Sequence, residues 1–406
     1  MTNDTHETDG VDGTEAMDVT DATDANWSVP ETEVLARARE ILDGDRRGVL
    51  ATVIRVEGSA YRRPGAKMVI PEDGDGVGHI TAGCLEEEVQ GLAEEVLAAG
   101  EPRVERYDLM PEADEGDDVW GLGVGCNGVI DILLEPLDET YRPAVAAFDE
   151  GRDLGVLTVV DGDDANEGAR AYYDPSTDEL DLGAGFDATL ADRVRAVAAE
   201  LTARGKSDSV TVDGVTVFVD GVAAPSKLVV VGTGHDVGPI AELGAKADFR
   251  VTVVGFRGAA AKADRFPAAS EVVSTSPARM TDAYDFDANT YVVVSTHNFV
   301  DDRLAVEALL NSDVPYVGLM GPRERFEEML DDFAEEGTEF TDAQLDRLYT
   351  PVGLDLGGGS PYQIALSIVS EVLAVENGRE PKHLKTREGT IHDRVELSAD
   401  GSGDRD

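Results

Sequence analysis

The sequence predicts an α/β protein with a doubly wound parallel sheet in its C-terminal part and a separate α+β domain before it. The main observation is the stretch Lys227 to Phe256, KLVVVGTGHDVGPIAELGAKADFRVTVVGF, where an apolar strand, Leu228 to Val231, breaks into Gly232-Thr233-Gly234-His235-Asp236-Val237-Gly238. A helical pattern follows, then a second apolar strand from Val251 to Val254, which together make one βαβ unit. Apolar runs at Glu271 to Ser274, Tyr291 to Ser295 and Pro315 to Leu319 supply further strands. The third observation is size: 406 residues with 42% hydrophobic side chains suffice for two or three domains, each with its own core.

The net charge of −49 excludes nucleic acid and anionic membranes as partners. It suits a solvated surface adapted to high salt, where screening weakens self-repulsion, so a halophilic cytoplasm is expected. No signal peptide and no apolar run of about 18 residues is present, and the chain reads as cytoplasmic with no membrane partner. The two cysteines, Cys84 and Cys126, allow a disulfide, but a reducing cytosol favours thiols. With no His cluster beside them, no metal site is expected.

Residues 1–29 form an acidic tail; positions 1–26 carry eight acids and no Lys or Arg, too little apolar surface to offset ordering entropy. Residues 30–138 form the first domain. Val34, Leu35, Ala38, Ile41 and Leu42 mark one helical face ending near Gly44, and residues 48 to 56 read as a buried strand. The loop Glu57 to Met68, EGSAYRRPGAKM, then sets Arg62, Arg63 and Lys67 within six residues. Such a cluster in so acidic a chain suits an anionic ligand, because Arg grips phosphate with paired N–H groups and Lys supplies a point charge. Pairing with surrounding acids is the alternative.

Further along, His79-Ile80-Thr81-Ala82-Gly83-Cys84-Leu85-Glu86 places Cys84 at a helix N-terminus, where the dipole favours thiolate. Cys84 is therefore a candidate nucleophile, sulfur carrier or soft ligand, with Glu86 as acid or base beside it; an inert cysteine and an ordinary helix-start Glu are the alternatives. Cys126 lies in a glycine-dense turn, Gly121 to Gly128, of the kind that brings backbone close to a ligand or another backbone. Residues 139–225 alternate strand-like segments with a helix from Ala188 to Ala203 and read as an α+β insert.

The blocks EGSAYRRPGAKM, GHITAGCLEEEV and GLGVGCNGVIDILLEPL resemble the N-terminal domain of the XdhC/CoxI family, maturation factors of xanthine dehydrogenase and related molybdenum hydroxylases. LVVVGTGHDVGPIAELGAKADFRVTVVGFR, YVVVSTHNFVDDRLAVEALL, PYVGLMGPRERFEEML and PVGLDLGGGSPYQIALSIVSEVLAVENGR resemble that family's C-terminal Rossmann-like domain. The likeness spans residues 32 to 380 in colinear order. It departs at Tyr61, where the family commonly has Pro, at His79 to Ala82, where it is richer in glycine, and near Gly255, where it has an acid. The resemblance implies a chaperone more than a turnover enzyme: one that binds the molybdenum cofactor (molybdopterin) and delivers it to a molybdenum hydroxylase apoenzyme. Contact with a cysteine desulfurase and a homo-oligomeric state are implied with it.

In the Rossmann-like domain, residues 226–380, Gly232 permits the turn, Gly234 lets backbone N–H groups approach a ligand, and the following helix favours an anion. The third glycine, Gly238, falls one place late, and the position of a ribose-binding acid reads Gly255-Phe256-Arg257. An NAD(P)-dependent oxidoreductase is therefore the alternative function rather than the first, and a noncatalytic assembly protein is a third. His235 and His297 are expected at the switch point of the sheet as proton shuttle or ligand, unless they only bond backbone. Arg323, after Gly321-Pro322, is placed for an anion or for a surface acid. The expectation is that the Arg62–Arg63–Lys67 loop, Gly83 with the thiols, and the Gly232 to His235 turn share one pocket for the phosphate-bearing cofactor. Residues 381–406 read as a polar tail.

Overall fold

The computed structural model describes residues 29–109, 127–162 and 166–388. The first unit runs α1 (Glu31–Asp43), β1 (Gly48–Ser59), β2 (Lys67–Pro71), β3 (Val77–Gly78), α2 (Glu86–Ala99), β4 (Arg103–Asp108) and β5 (Asn127–Pro136). Its antiparallel sheet has the order β3-β2-β1-β5-β4. The α1 stripe read from the sequence is the buried one, with Val34, Leu35, Ala38 and Ile41 inward.

Residues 139–225 repeat that plan. They run α3 (Arg142–Glu150), β6 (Leu154–Asp161), β7 (Arg170–Asp174), β8 (Glu179–Leu182), α4 (Ala188–Ala203), β9 (Ser207–Val212) and β10 (Val215–Val222). The sheet order is β8-β7-β6-β10-β9, the same order as in the first unit. Even the irregularities correspond: the register with β5 shifts between Val53 and Arg55 in β1, and β6 shifts against β10 around Val160. The bulged residues Ile54 and Val160 meet, with Leu133 and Phe218, in one small core cluster between the units.

Two buried ion pairs cross the same boundary reciprocally. Lys67, opening β2, pairs with Asp220 of β10 at 2.9 Å, and Arg170, opening β7, pairs with Glu135 of β5. Each unit thus gives the other one cation and one carboxylate, the reciprocity of a two-fold interface written into one chain. Helix α2 covers the outer face of the first sheet and α4 that of the second, while α1 and α3 pack together against the shared side.

The third unit runs β11 (Lys227–Val231), α5 (Val237–Lys246), β12 (Arg250–Gly255), β13 (Glu271–Ser274), α6 (Met280–Ala283), β14 (Thr290–Val294), α7 (Phe299–Leu310), β15 (Tyr316–Leu319), α8 (Arg323–Glu336), α9 (Asp342–Leu345), β16 (Leu348–Tyr349) and α10 (Pro361–Glu376). All pairs are parallel and the order is β13-β12-β11-β14-β15-β16, the Rossmann arrangement. Leu228 to Val231 are buried completely because α7 and α8 cover one face of the sheet and α5 and α10 the other. Helix α10 starts at the capping box of Ser360 and Gln363.

The repeated units dock on the N-terminal edge of this parallel sheet. Arg250, the first residue of β12, donates to the carbonyls of Asp149 and Phe148 at 3.0 and 2.9 Å, and Thr32 N donates to Asp248 at 3.2 Å. The opposite edge, where the strands end, carries the glycine turns.

Candidate functional site

At the C-terminal edge the chain leaves β11 for α5 on one face of the sheet and β14 for α7 on the other, which makes the place between their turns the switch point, the crevice at which doubly wound sheets bind ligands. Gly232 has φ of 155°, and a Cβ there would stand 2.2 Å from the Ser295 carbonyl oxygen, so this turn admits only glycine. Gly232 N donates to Val254 O at 2.9 Å and Ser295 N to Val231 O at 2.8 Å, which fixes both turns to the sheet. Above Gly234 stands a side chain the sequence reading did not single out, Asp236, whose Oδ1 lies 2.3 Å from where a Gly234 Cβ would be. Asp236 accepts from Ser295 Oγ and sits 3.0 Å from His297 Nε2, with Ser295 Oγ 3.3 Å from the same nitrogen. His297 adopts φ of 56°, uncommon for a residue with a side chain, and is exposed, as is His235.

A second missed residue holds these loops in place. Asp302, in the first turn of α7, is fully buried and accepts from Thr296 N at 3.1 Å and Thr296 Oγ1 at 2.6 Å. It also pairs with Arg325 of α8 at 2.5 Å. Burial raises its pKa despite those bonds and the Arg325 charge. An acid in a first helical turn is so common that only the structure separates this one from a surface preference. Arg323, by contrast, is exposed and lies 3.6 Å from Glu327 one turn on.

The glycines divide their work differently from the motif. A Cβ on Gly238 would meet open space, whereas one on Gly244 would lie 2.5 Å from Leu228 Cδ2, so close helix–strand packing rests on Gly244. At the ribose-acid position, a Cβ on Gly255 would stand 2.6 Å from Thr233 Cγ2 and 2.7 Å from Ala261 Cβ. Neighbouring side chains fill the place of the missing carboxylate. Arg257 pairs with Asp301 at 2.9 Å.

The three clustered cations of the N-terminal loop go three ways. Lys67 is buried against Asp220 and also donates to Gly65 O at 2.8 Å. Burial opposes its charge, yet the Asp220 carboxylate outweighs this and holds its pKa above the usual lysine value. Arg62 pairs with Glu31 and lies 3.5 Å from His79 Nε2; its pKa is lowered by burial, with Asp248 acting the other way. Arg63 is half-buried, and its Nε is buried with no hydrogen-bond partner among the described residues.

The Cys84 loop is a self-contained turn. Thr81 Oγ1 accepts from Cys84 N at 3.0 Å, Gly83 has φ of 100°, and Cys84 is exposed. Leu85, rather than Cys84, is the cap of α2. Glu86 is fully buried and accepts from Thr81 N at 2.7 Å, from Thr81 Oγ1 at 2.5 Å and from Leu85 N at 3.1 Å. Burial works against its charge, but these donors prevail and its pKa is lowered. Its carboxylate is engaged in closing the loop. Cys126 lies outside the described residues; the next residue, Asn127, pairs with Ser59 at the end of β1.

The structure corrects one expectation directly: the cationic loop and the glycine turn do not share a pocket. Residues 61–67 line a cleft with Asp248 and Phe249 at the N-terminal edge of the parallel sheet, while Gly232 to His235 follow the C-terminal end of β11. A five-residue strand separates the two edges by about 16 Å at the usual rise. A shared preference for anions carried no information about which edge each loop would occupy.

Among the described residues no group of three or more His, Cys, Asp or Glu side chains could hold a metal ion, and no helix is long and apolar enough to cross a membrane. Comparison with known proteins agrees with the architecture. Residues 228–372 match the family described as the XdhC Rossmann domain, and residues 41–108 match the XdhC and CoxI family. The chain is 28% identical over 342 residues to a probable xanthine dehydrogenase subunit of Bacillus subtilis (strain 168), covering 82% of this chain and 94% of that one. It is 31% identical over 115 residues to the molybdenum cofactor insertion chaperone PaoD of Escherichia coli (strain K12), covering 28% of this chain and 34% of that one. A crystal structure described as a xanthine dehydrogenase from Bacillus halodurans superposes with a TM-score of 0.68 at 27% identity, over 85% of this chain and 96% of that one. With both family regions matched in order and the same architecture throughout, this chain belongs to the XdhC and CoxI family.

Proposed function

We propose that this protein is a maturation factor that binds the molybdenum pyranopterin cofactor and passes it to a molybdenum hydroxylase of the xanthine dehydrogenase type. The observation that carries the reading is the pair of turns at the switch point after β11 and β14: Gly232 and Gly234 allow their close approach, while Thr233 and Ala261 occupy the place of a ribose-binding acid at Gly255. Such a turn suits a phosphate, and the filled ribose-acid position weighs against NAD(P) among phosphate-bearing ligands. The similarity to a protein named as a molybdenum cofactor insertion chaperone supports the choice of cargo.

In this reading the backbone N–H groups of Gly234 and His235, beyond the Gly232 turn, receive the phosphate end of the cargo, and Asp236, hydrogen-bonded to Ser295 and close to His297, provides acceptors for its hydroxyl or ring N–H groups. His235 stands exposed at the rim. Cys84 is exposed on a different unit, away from that turn, and takes no part in holding the cargo in this reading. No metal-holding cluster among the described residues is needed for this, since the pterin dithiolene itself carries the metal.

The test is acid oxidation of the protein purified from cells that make the cofactor, with fluorescence of the released pterin as readout. The expected result is pterin bound to the wild type and lost from a Gly232→Val variant. Absence of pterin from the wild type while a hydroxylase co-purifies would replace this reading by a noncatalytic assembly role. Tight binding of NADH or NADPH on titration would replace it by the oxidoreductase.

A further inference from the structure

A cleft of about 1340 Å³ lies between the repeated units and the segment that follows α10. Arg63 and Lys206 line it from one side, and Arg379, Lys382 and Arg387 from the other. The acids in the lining are Asp208 and Glu380, and Glu380 pairs with Lys382 at 2.8 Å. Leaving aside Arg379 and Arg387, which have partners of their own, Arg63, Lys206 and Lys382 face these two acids in a chain in which 34 cations face 83 acids. Keeping such a group together in this background concentrates an anion where the rest of the surface repels it.

Two further features give the cleft the character of a binding site. Arg63 lines the cleft while its Nε is buried with no hydrogen-bond partner among the described residues, so the guanidinium is under-bonded and a charged acceptor on its cleft side would stabilise it. The remaining wall is apolar, with Val56, Leu373 and Leu384, and Leu373 and Leu384 are themselves exposed. Cations beside an apolar wall fit a ligand that joins phosphate to a flat ring, and the volume is ample for one.

We propose that this cleft binds a phosphorylated ligand of nucleotide size, its phosphates on Arg63, Lys206 and Lys382 and its ring against Val56, Leu373 and Leu384. The site is distinct from the crevice after β11. Glu376, at the end of α10, bonds Ser226 Oγ at 3.2 Å, which fixes this end of the helix at the N-terminal edge of the parallel sheet, opposite the crevice. The loop that sequence reading marked for an anion thus contributes one residue, Arg63, to a different site.

Titration calorimetry of the full chain with ADP, pyrophosphate and adenosine tests this at two KCl concentrations. ADP is expected to bind saturably at one site and at least tenfold more tightly than adenosine, with affinity falling as KCl rises. An Arg63→Gln/Lys382→Gln double variant is expected to bind ADP at least tenfold more weakly, and a Lys206→Gln variant severalfold more weakly. Arg193→Gln, which removes an exposed partner of Asp213, is expected to leave binding unchanged. Because the two sites lie on opposite edges, the double variant keeps its acid-releasable pterin, so failure here and failure of the proposed function are separate results. The proposal is overturned if the full chain shows no saturable ADP binding, if adenosine binds as tightly as ADP, or if a folded double variant binds like wild type.

Discussion

Lys67→Met decides whether the most buried cation of the N-terminal loop holds the fold or serves a ligand. In the structure Lys67 Nζ lies 2.9 Å from Asp220 Oδ2 and donates to Gly65 O at 2.8 Å, with both charged side chains almost wholly out of water. Removing the cation leaves Asp220 buried with Ser207 Oγ, at 2.8 Å, as its remaining donor. Breaking a buried pair from one side costs about 3–5 kcal/mol, and the Ser207 bond offsets about 1 of it. A loss of about 3 kcal/mol spread over the two repeated units lowers their melting transition by about 6–12 °C. Differential scanning calorimetry follows that transition. Since buried charges are little screened, the deficit should be alike at low and high KCl. A Lys67→Met/Asp220→Leu double variant, which removes both charges, should recover at least half of it. A shift below about 2 °C, or a double variant as unstable as the single, would refute the structural role and return Lys67 to the ligand-binding candidates.

The Cys84 loop gives a pH prediction. Glu86 has a lowered pKa in the fold, so its contribution to stability is fully present above the ordinary glutamate value and is lost as pH falls through the folded value. Protection factors of the Thr81 and Leu85 amides, corrected for the intrinsic pH dependence of exchange, should therefore fall on acidification below that range, and Glu86→Gln, which costs about 2–3 kcal/mol of charged hydrogen bonding, should abolish that fall; unchanged protection in the variant would remove Glu86 from the loop's support. At the other site, Gly255→Asp restores the acid of a dinucleotide fingerprint but drives a side chain into Thr233 and Ala261. It should destabilise the Rossmann unit by about 1–3 kcal/mol without creating NADH affinity, as read by melting and by titration; a gain of NADH binding would show that the position is only vacant rather than filled.

Much of the parallel-sheet unit was legible because its signals are local. The apolar run Leu228 to Val231 and the turn at Gly232 each depend on neighbours in sequence, and each lies where the pattern puts it. The duplication was not legible, because what the two units share is position and chemical class rather than residue identity. Lys67 corresponds to Arg170, Glu135 to Asp220 and Ile54 to Val160, and the correspondence is visible only once both sheets have the same strand order. Arg62, Arg63 and Lys67 show the same limit from the other side. Their charge and spacing were plain, but Lys67 starts a strand and points at the second unit, Arg62 pairs with Glu31, and only Arg63 keeps a buried donor unpaired. Asp302 was hidden by its very ordinariness as a first-turn acid.

The docking of the repeated units on one edge of the parallel sheet bears on what the other edge can do. A dehydrogenase gains from a second domain that closes over its cofactor and excludes water during hydride transfer. Here Arg250 and Asp248 tie the repeated units to the N-terminal edge, and the crevice after β11 and β14 faces away from them. In the proposed function a ligand at this turn would lie on the edge opposite the repeated units, which suits a cargo that must be surrendered to another protein. The acceptors around it are also held firmly: Asp302 is locked by Thr296 and Arg325 beneath the 295–298 loop, so His297 and Asp236 are set in place before any ligand arrives. Preorganisation at an open edge favours capture, and openness favours release. In the proposed function, the two requirements of a carrier would thus fall to different parts of the same architecture.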